Sequence, residues 1–172
     1  MKSSILIILT SCFSFISYCQ EISSDPNDST HTFSFILKYG VGAKNIINTF
    51  DHTYTKDLVS GPDTSILLHL SSQELDTIRL EMDRIHILDY PKIFAPPWSD
   101  NPNGMEKSVN PSSSYYFKIQ IDNHLKEITW GDSNESEIKM AVNLRNLIFK
   151  IIKIVASKEE YKKLPRPHAR YQ

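Results

Sequence analysis

Six histidines and two cysteines are the side chains in this sequence best suited to holding a metal or attacking a substrate. Catalytic zinc takes three protein ligands, and helices or strands that supply them show HxH, HxxxH or HExxH spacing. None of these spacings occurs. Asp83 and His86 are i, i+3 neighbours that could share an ion, but no third ligand accompanies them, and no metal requirement is expected. Asp51, Asp57 and Asp132 offer carboxylates for acid–base work, yet only the tertiary fold could bring two together; by position they end strands and turns. Nucleophile elbows, phosphate loops and dinucleotide fingerprints are absent, and five glycines leave little material for a backbone phosphate cradle. No catalytic, cofactor-binding or metal-binding residue is assigned, and no cofactor is expected.

Aromatic side chains give the candidates for binding. Trp98 sits in a proline-rich loop and Tyr116 on the polar face of a strand; exposed aromatics of this kind anchor partners, or pin their own loop to the body. The terminal lysines and arginines (Lys158, Lys162, Lys163, Arg166, Arg170) are interleaved with Glu159 and Glu160, the pattern of a solvated end.

Both cysteines lie in the first nineteen residues. Lys2, an apolar run from Ile5 to Leu9 continued by Phe13, Phe15 and Ile16, and an abrupt polar exit at Gln20 and Glu21 have the order of a secretory signal peptide. A transmembrane anchor needs about 20 apolar residues, and the serines here dilute a shorter run. Cleavage after Cys19 leaves Gln20 first. The alternatives are lipidation at Cys12 ("LTSC") or at Cys19 ("ISYC"), where Tyr18 is bulky for such a site. Either route leaves no free cysteine, which removes disulfides, thiolate metal sites and cysteine nucleophiles. The expected location is the periplasm, the exterior or a lipid anchor on the cell envelope, with no transmembrane span.

Removing residues 1–19 from 172 leaves enough chain for one domain with a core of its own. Loss of Lys2 leaves 18 basic against 20 acidic residues, so no global field favours nucleic acid. Residues 20–30 are polar and aperiodic, a flexible leader; residues 31–158 form a single domain, and 159–172 a basic tail.

The elements of that domain follow from periodicity. "FSFILKY" alternates Phe33, Phe35, Leu37 and Tyr39 on one face, a strand closed by Gly40. Residues 44–59 read as a hairpin with Ile46, Asn48 and Phe50 on one arm, Tyr54, Lys56 and Leu58 on the other, and Asp51-His52 at the tip. "TSILLHL" supplies another strand. Ser71 and Glu74 have capping-box spacing before a stripe of Leu75, Ile78, Met82 and Ile85. Residues 90–112, with five prolines, read as a long loop without an element. "YYFKIQIDNHLKEITW" is a hairpin turning at Asp122-Asn123-His124, with Tyr115, Phe117, Ile119, Ile128 and Trp130 on the apolar face. Asn134 and Glu137 offer a second capping box for a helix from Ile138 to about Ala156, whose stripe is Ile138, Ala141, Leu144, Ile148, Ile151 and Val155, with Lys150 on the exposed side. The order predicts an α+β fold: an antiparallel sheet with two helices packed on one face, a two-layer sandwich.

Over residues 33–165 the segments "LKYGVGAKNIINTFDHTYTKDLV", "LSSQELDTIRLEMDRIHILDYP" and "SKEEYKKLP" resemble a family of small uncharacterised exported bacterial domains, often lipoproteins. In such domains the first hairpin carries Gly at its tip, where this chain has His52. The resemblance implies no activity, so no site residue is carried over. The expected function is a non-enzymatic module that binds an envelope or extracellular protein or peptide through its open sheet face or the 90–112 loop; the alternative is a small exported hydrolase assembled from scattered polar residues.

Overall fold

The computed structural model describes residues 32–99, 108–167 and 169–172. The export segment with Cys12, Cys19 and Gln20, and the polar leader, lie outside the described residues. Alternation of large apolar and polar residues builds most of the sheet. In β1 (Phe33–Tyr39) Phe35 and Leu37 are fully buried. Its partners are β2 (Asn45–Asn48) on one side and β6 (Ser114–Ile121) on the other, both antiparallel. With β3 (Thr53–Lys56), β4 (Thr64–Leu67), β7 (His124–Gly131) and β5 (Ile93–Phe94) they form one seven-stranded sheet of order β4-β3-β2-β1-β6-β7-β5.

Register fixes which side chains share a face, because the side-chain period of a strand is two. Ile66, Tyr54, Ile47, Leu37, Phe117 and Ile128 are cross-strand neighbours in one row on the inner face. Tyr115, Trp130 and Phe94 make a second row, with ring centroids 5.1 and 5.5 Å apart. The core-facing residue of β2 is thus Ile47, which is buried, and Ile46 points to the opposite face with Asn48. An adjacent pair of isoleucines conceals the alternation that would decide this.

Helices α1 (Ser72–Arg84) and α2 (Lys139–Ser157) cover the inner face. The α1 capping box forms in full: Ser71 Oγ accepts from Glu74 N at 3.3 Å, and Ser71 N donates to a Glu74 carboxylate oxygen at 2.7 Å. Ile78 and Met82 of α1, and Ala141, Leu144, Leu147, Ile148, Ile151 and Val155 of α2, join the sheet residues in one core. Lys158 Nζ binds Glu74 at 2.5 Å and Lys150 Nζ binds Glu81 at 2.7 Å. These contacts climb one helix while descending the other, so the two run antiparallel. Lys150 is therefore an interhelix partner rather than a purely solvated side chain.

Three local expectations are corrected. The 90–112 stretch contains β5, a two-residue parallel edge strand beside β7. The β6–β7 turn is the two residues Asp122-Asn123, with Asp122 at φ +51°, and His124 already pairs with Ile121. Asn134 and Glu137 do not cap α2: its N-cap is Ile138, with no side-chain bond. Asn134 instead accepts from Ser136 N and donates to Pro96 O. The basic side chains of the tail, Lys162, Lys163, Arg166 and Arg170, are exposed to solvent. After α3 (Glu159–Lys162) Leu164 is buried, and the Tyr161 ring packs 5.3 Å from that of Tyr54.

Candidate functional site

The face of the sheet opposite the helices is a lattice of alternating residues set by register. One row runs Leu67, Thr53, Asn48, Ile36, Lys118, Glu127, and the next Ser65, Thr55, Ile46, Lys38, Tyr116, Thr129, Ile93. Large apolar side chains stand open at its margins: Leu67 is 68% exposed, Ile93 75% and Leu125 59%.

Tyr116 lies near the middle of this face, half-buried. Its hydroxyl donates to Glu127 Oε1 at 3.0 Å, and the other oxygen of Glu127 takes Lys92 Nζ at 3.0 Å. Burial and the neighbouring carboxylate both push the Tyr116 phenol up in pKa, while Lys92 and the Tyr116 hydroxyl hold Glu127 below the usual carboxylate range. Lys38 Nζ sits 5.7 Å from the Tyr116 ring centroid, and Lys118 Nζ 5.9 Å from that of Phe50. Two cations on this face thus ride on aromatic rings.

Trp98 is placed differently. Three consecutive carbonyls of its loop are tied to the approach of α2: Pro96 O by Asn134 Nδ2, Pro97 O by Ser136 Oγ, and Trp98 O by Glu137 N at 2.7 Å. The side chain is half-buried, and its indole nitrogen is buried without a hydrogen-bond partner among the described residues. With Ala95, Pro96, Pro97, Ser108, Ser133 and Asn134 it lines an open cleft of about 460 Å³.

The carboxylates singled out in the sequence have separate attachments. Asp51 accepts from Asn48 Nδ2 in the first hairpin. Asp57, 6% exposed, accepts from Val59 N and from the Tyr171 hydroxyl. Asp132 forms a two-pronged pair with Arg145, both bonds 2.8 Å, and the guanidinium lies over the Trp130 ring. That hydrogen-bonded carboxylate raises the Arg145 pKa further. Nothing in a spacing of thirteen residues announces this pair. His52 and His69 stack at 4.5 Å between ring centroids, exposed at the hairpin end. Among the described residues no group of three or more His, Cys, Asp or Glu side chains is placed to hold a metal ion. The largest pKa changes belong to buried tyrosines: Tyr39 is pushed up to about 12 by burial, Tyr90 likewise, and Tyr54 higher still. Tyr39 and Tyr54 share a hydrogen bond of 2.9 Å. These phenols stay protonated at neutral pH and serve the core.

No helix among the described residues is long and apolar enough to cross a membrane. Comparison with models of known families, with curated proteins and with solved structures finds no match.

Proposed function

We propose that this chain is an exported, non-enzymatic domain of the bacterial envelope or secretome that holds a protein or peptide partner on the open face of its sheet. The observation that carries this reading is the one-sided architecture. Both long helices cover a single face, and the other presents Leu67, Ile93 and Leu125 around half-buried Ile36, Ile46 and Tyr116. Scattered apolar side chains on a surface are ordinary, and others stand on the helices (Leu80, Phe149); Leu67, Ile93 and Leu125 share one face with lysines and a glutamate between them. Apolar margins supply affinity, and the polar groups fix orientation.

Export is supported by the order of charge, apolar run and polar exit in residues 2–21, and by the resemblance to exported domains set out above. Mass spectrometry of the native amino terminus tests it: Gln20, or an acylated Cys12 or Cys19, is expected, and an intact Met1 in the cytoplasmic fraction overturns it. A photo-crosslinker at Lys118, on the open face, tests the binding surface against one at Asp76 on α1. Adducts from the first position alone are expected; adducts from the second alone refute the assignment.

A further inference from the structure

At the end of β3, away from the open face, Asp57 sits in a niche built from four directions. Its backbone N–H donates to Asn45 Oδ1 at 3.1 Å, and its own Oδ1 accepts from Val59 N at 2.8 Å. Asn45 Oδ1 also takes the Tyr54 hydroxyl at 3.4 Å, which continues to the Tyr39 hydroxyl. Val59, a β-branched residue, is held at φ +65°, a conformation such residues rarely adopt. Asp57 Oδ2 receives its hydrogen bond from the Tyr171 hydroxyl at 2.5 Å, and Lys44 Nζ lies 5.3 Å from that ring's centroid. Asp57 and Lys44 thus meet the two parts of the Tyr171 phenol: its hydroxyl bonds the buried carboxylate, and its ring lies beneath a cation.

Among the described residues, the segment that delivers Tyr171 has little else holding it. Leu164 is buried and Tyr171 half-buried, while Pro165, Arg166, Pro167, Ala169 and Arg170 are all exposed. Segments with few buried contacts open locally at low cost. Pro165 and Pro167 keep the strap from folding into a helix of its own.

We propose that this niche is a binding site for the tyrosine side chain of an extended segment, filled in the free chain by its own Tyr171 and open to a tyrosine from another chain when the strap lets go. Tyr171 is then a built-in competitor. A short tether gives it an effective concentration on the order of millimolar. If the Tyr171 segment itself binds the niche with a dissociation constant on the order of 0.1 mM, a ligand in trans therefore appears weakened about tenfold while the strap is present.

The test titrates a peptide of sequence LPRPHARYQ into the full chain and into its Tyr171→Ala and Tyr171→Phe variants, following the Asp57 and Val59 amide resonances by NMR. Tyr171→Phe removes one hydroxyl and keeps the ring, so it guards against loss of fold in the alanine variant. Saturable binding about tenfold tighter to the alanine variant than to the unaltered chain is expected, with the phenylalanine variant between them. A peptide with Phe in place of its Tyr should bind at least tenfold more weakly. Equal affinity for all three proteins, no saturable binding to the alanine variant, or indifference to the peptide hydroxyl overturns the proposal.

Discussion

Replacing Ile148 by alanine tests the junction of α2 with the sheet. Ile148 is fully buried, in the same core as Trp130, Leu144 and Ile151. Removing its outer carbons forfeits their transfer from water and leaves a cavity that rigid neighbours fill only in part, at about 2–5 kcal/mol. A domain of this size is stable by roughly 5–15 kcal/mol, so the change consumes a large fraction. With a urea slope of about 2 kcal/mol/M, the unfolding midpoint should fall by about 1–2.5 M. Ile148→Val, which removes one methylene, should cost about 0.5–1.5 kcal/mol. Lys150→Ala loses a half-exposed ion pair with Glu81 and should cost under about 1 kcal/mol. The assay is equilibrium urea unfolding followed by tryptophan fluorescence and far-ultraviolet circular dichroism. If Ile148→Ala and Lys150→Ala shared a midpoint, α2 would not be packed on this sheet, and the two-layer account would fail.

Three further outcomes follow from named contacts. Arg145→Met strands the buried Asp132 carboxylate and should destabilise by about 3–5 kcal/mol, whereas Arg145→Met with Asp132→Leu should recover part of that loss in a double-mutant cycle. Burial pushes Tyr39 and Tyr90 up to about 12 from near 10 in the unfolded chain, so the folded state retains protons that the unfolded chain gives up; urea midpoints should be level from about pH 7 to pH 10 and fall from pH 10 toward 12, and Tyr39→Phe should flatten that fall. His52 sits at φ +52°, where glycine carries no steric penalty; His52→Gly should leave stability unchanged or raise it by up to about 1 kcal/mol, and a loss beyond about 0.5 kcal/mol would show that the stack on His69 matters more than the backbone.

Much of the fold was legible because the decisive signals were local. Ser71 and Glu74 alone specify the start of α1, and the α2 stripe from Ala141 to Val155 names its buried face. The β6–β7 hairpin is equally plain, since Phe117, Ile119, Ile128 and Trp130 alternate cleanly. Where adjacent residues were both apolar, as at Ile46-Ile47, periodicity could not choose a face. Local chemistry also misled at Asn134: its side chain binds a loop carbonyl 38 residues away instead of the helix start. β5 was hidden because a two-residue parallel strand has no period of its own, and forms only because Lys92 O and the β7 edge are already in place. The contact of Tyr171 with Asp57 spans 114 residues and leaves no mark in the sequence. Tyr116 could be assigned to the polar face, but the lattice of lysines, Glu127 and marginal apolar residues around it needed the strand order.

The open sheet face is the central claim, and paired charge variants measure it most directly. Leu67→Lys with Leu125→Lys alters opposite ends of that face, whereas Leu80→Lys with Leu88→Lys places the same charge at exposed positions on and just after α1. All four sites are exposed, so both doubles should unfold within about 1 kcal/mol of the parent. Quantitative crosslinking and affinity capture from envelope extract then compares each with the parent chain. The account predicts partners that the parent and the Leu80/Leu88 double retain alike, and that the Leu67/Leu125 double loses by at least tenfold. Partners kept by the Leu67/Leu125 double and lost by the Leu80/Leu88 double would contradict it.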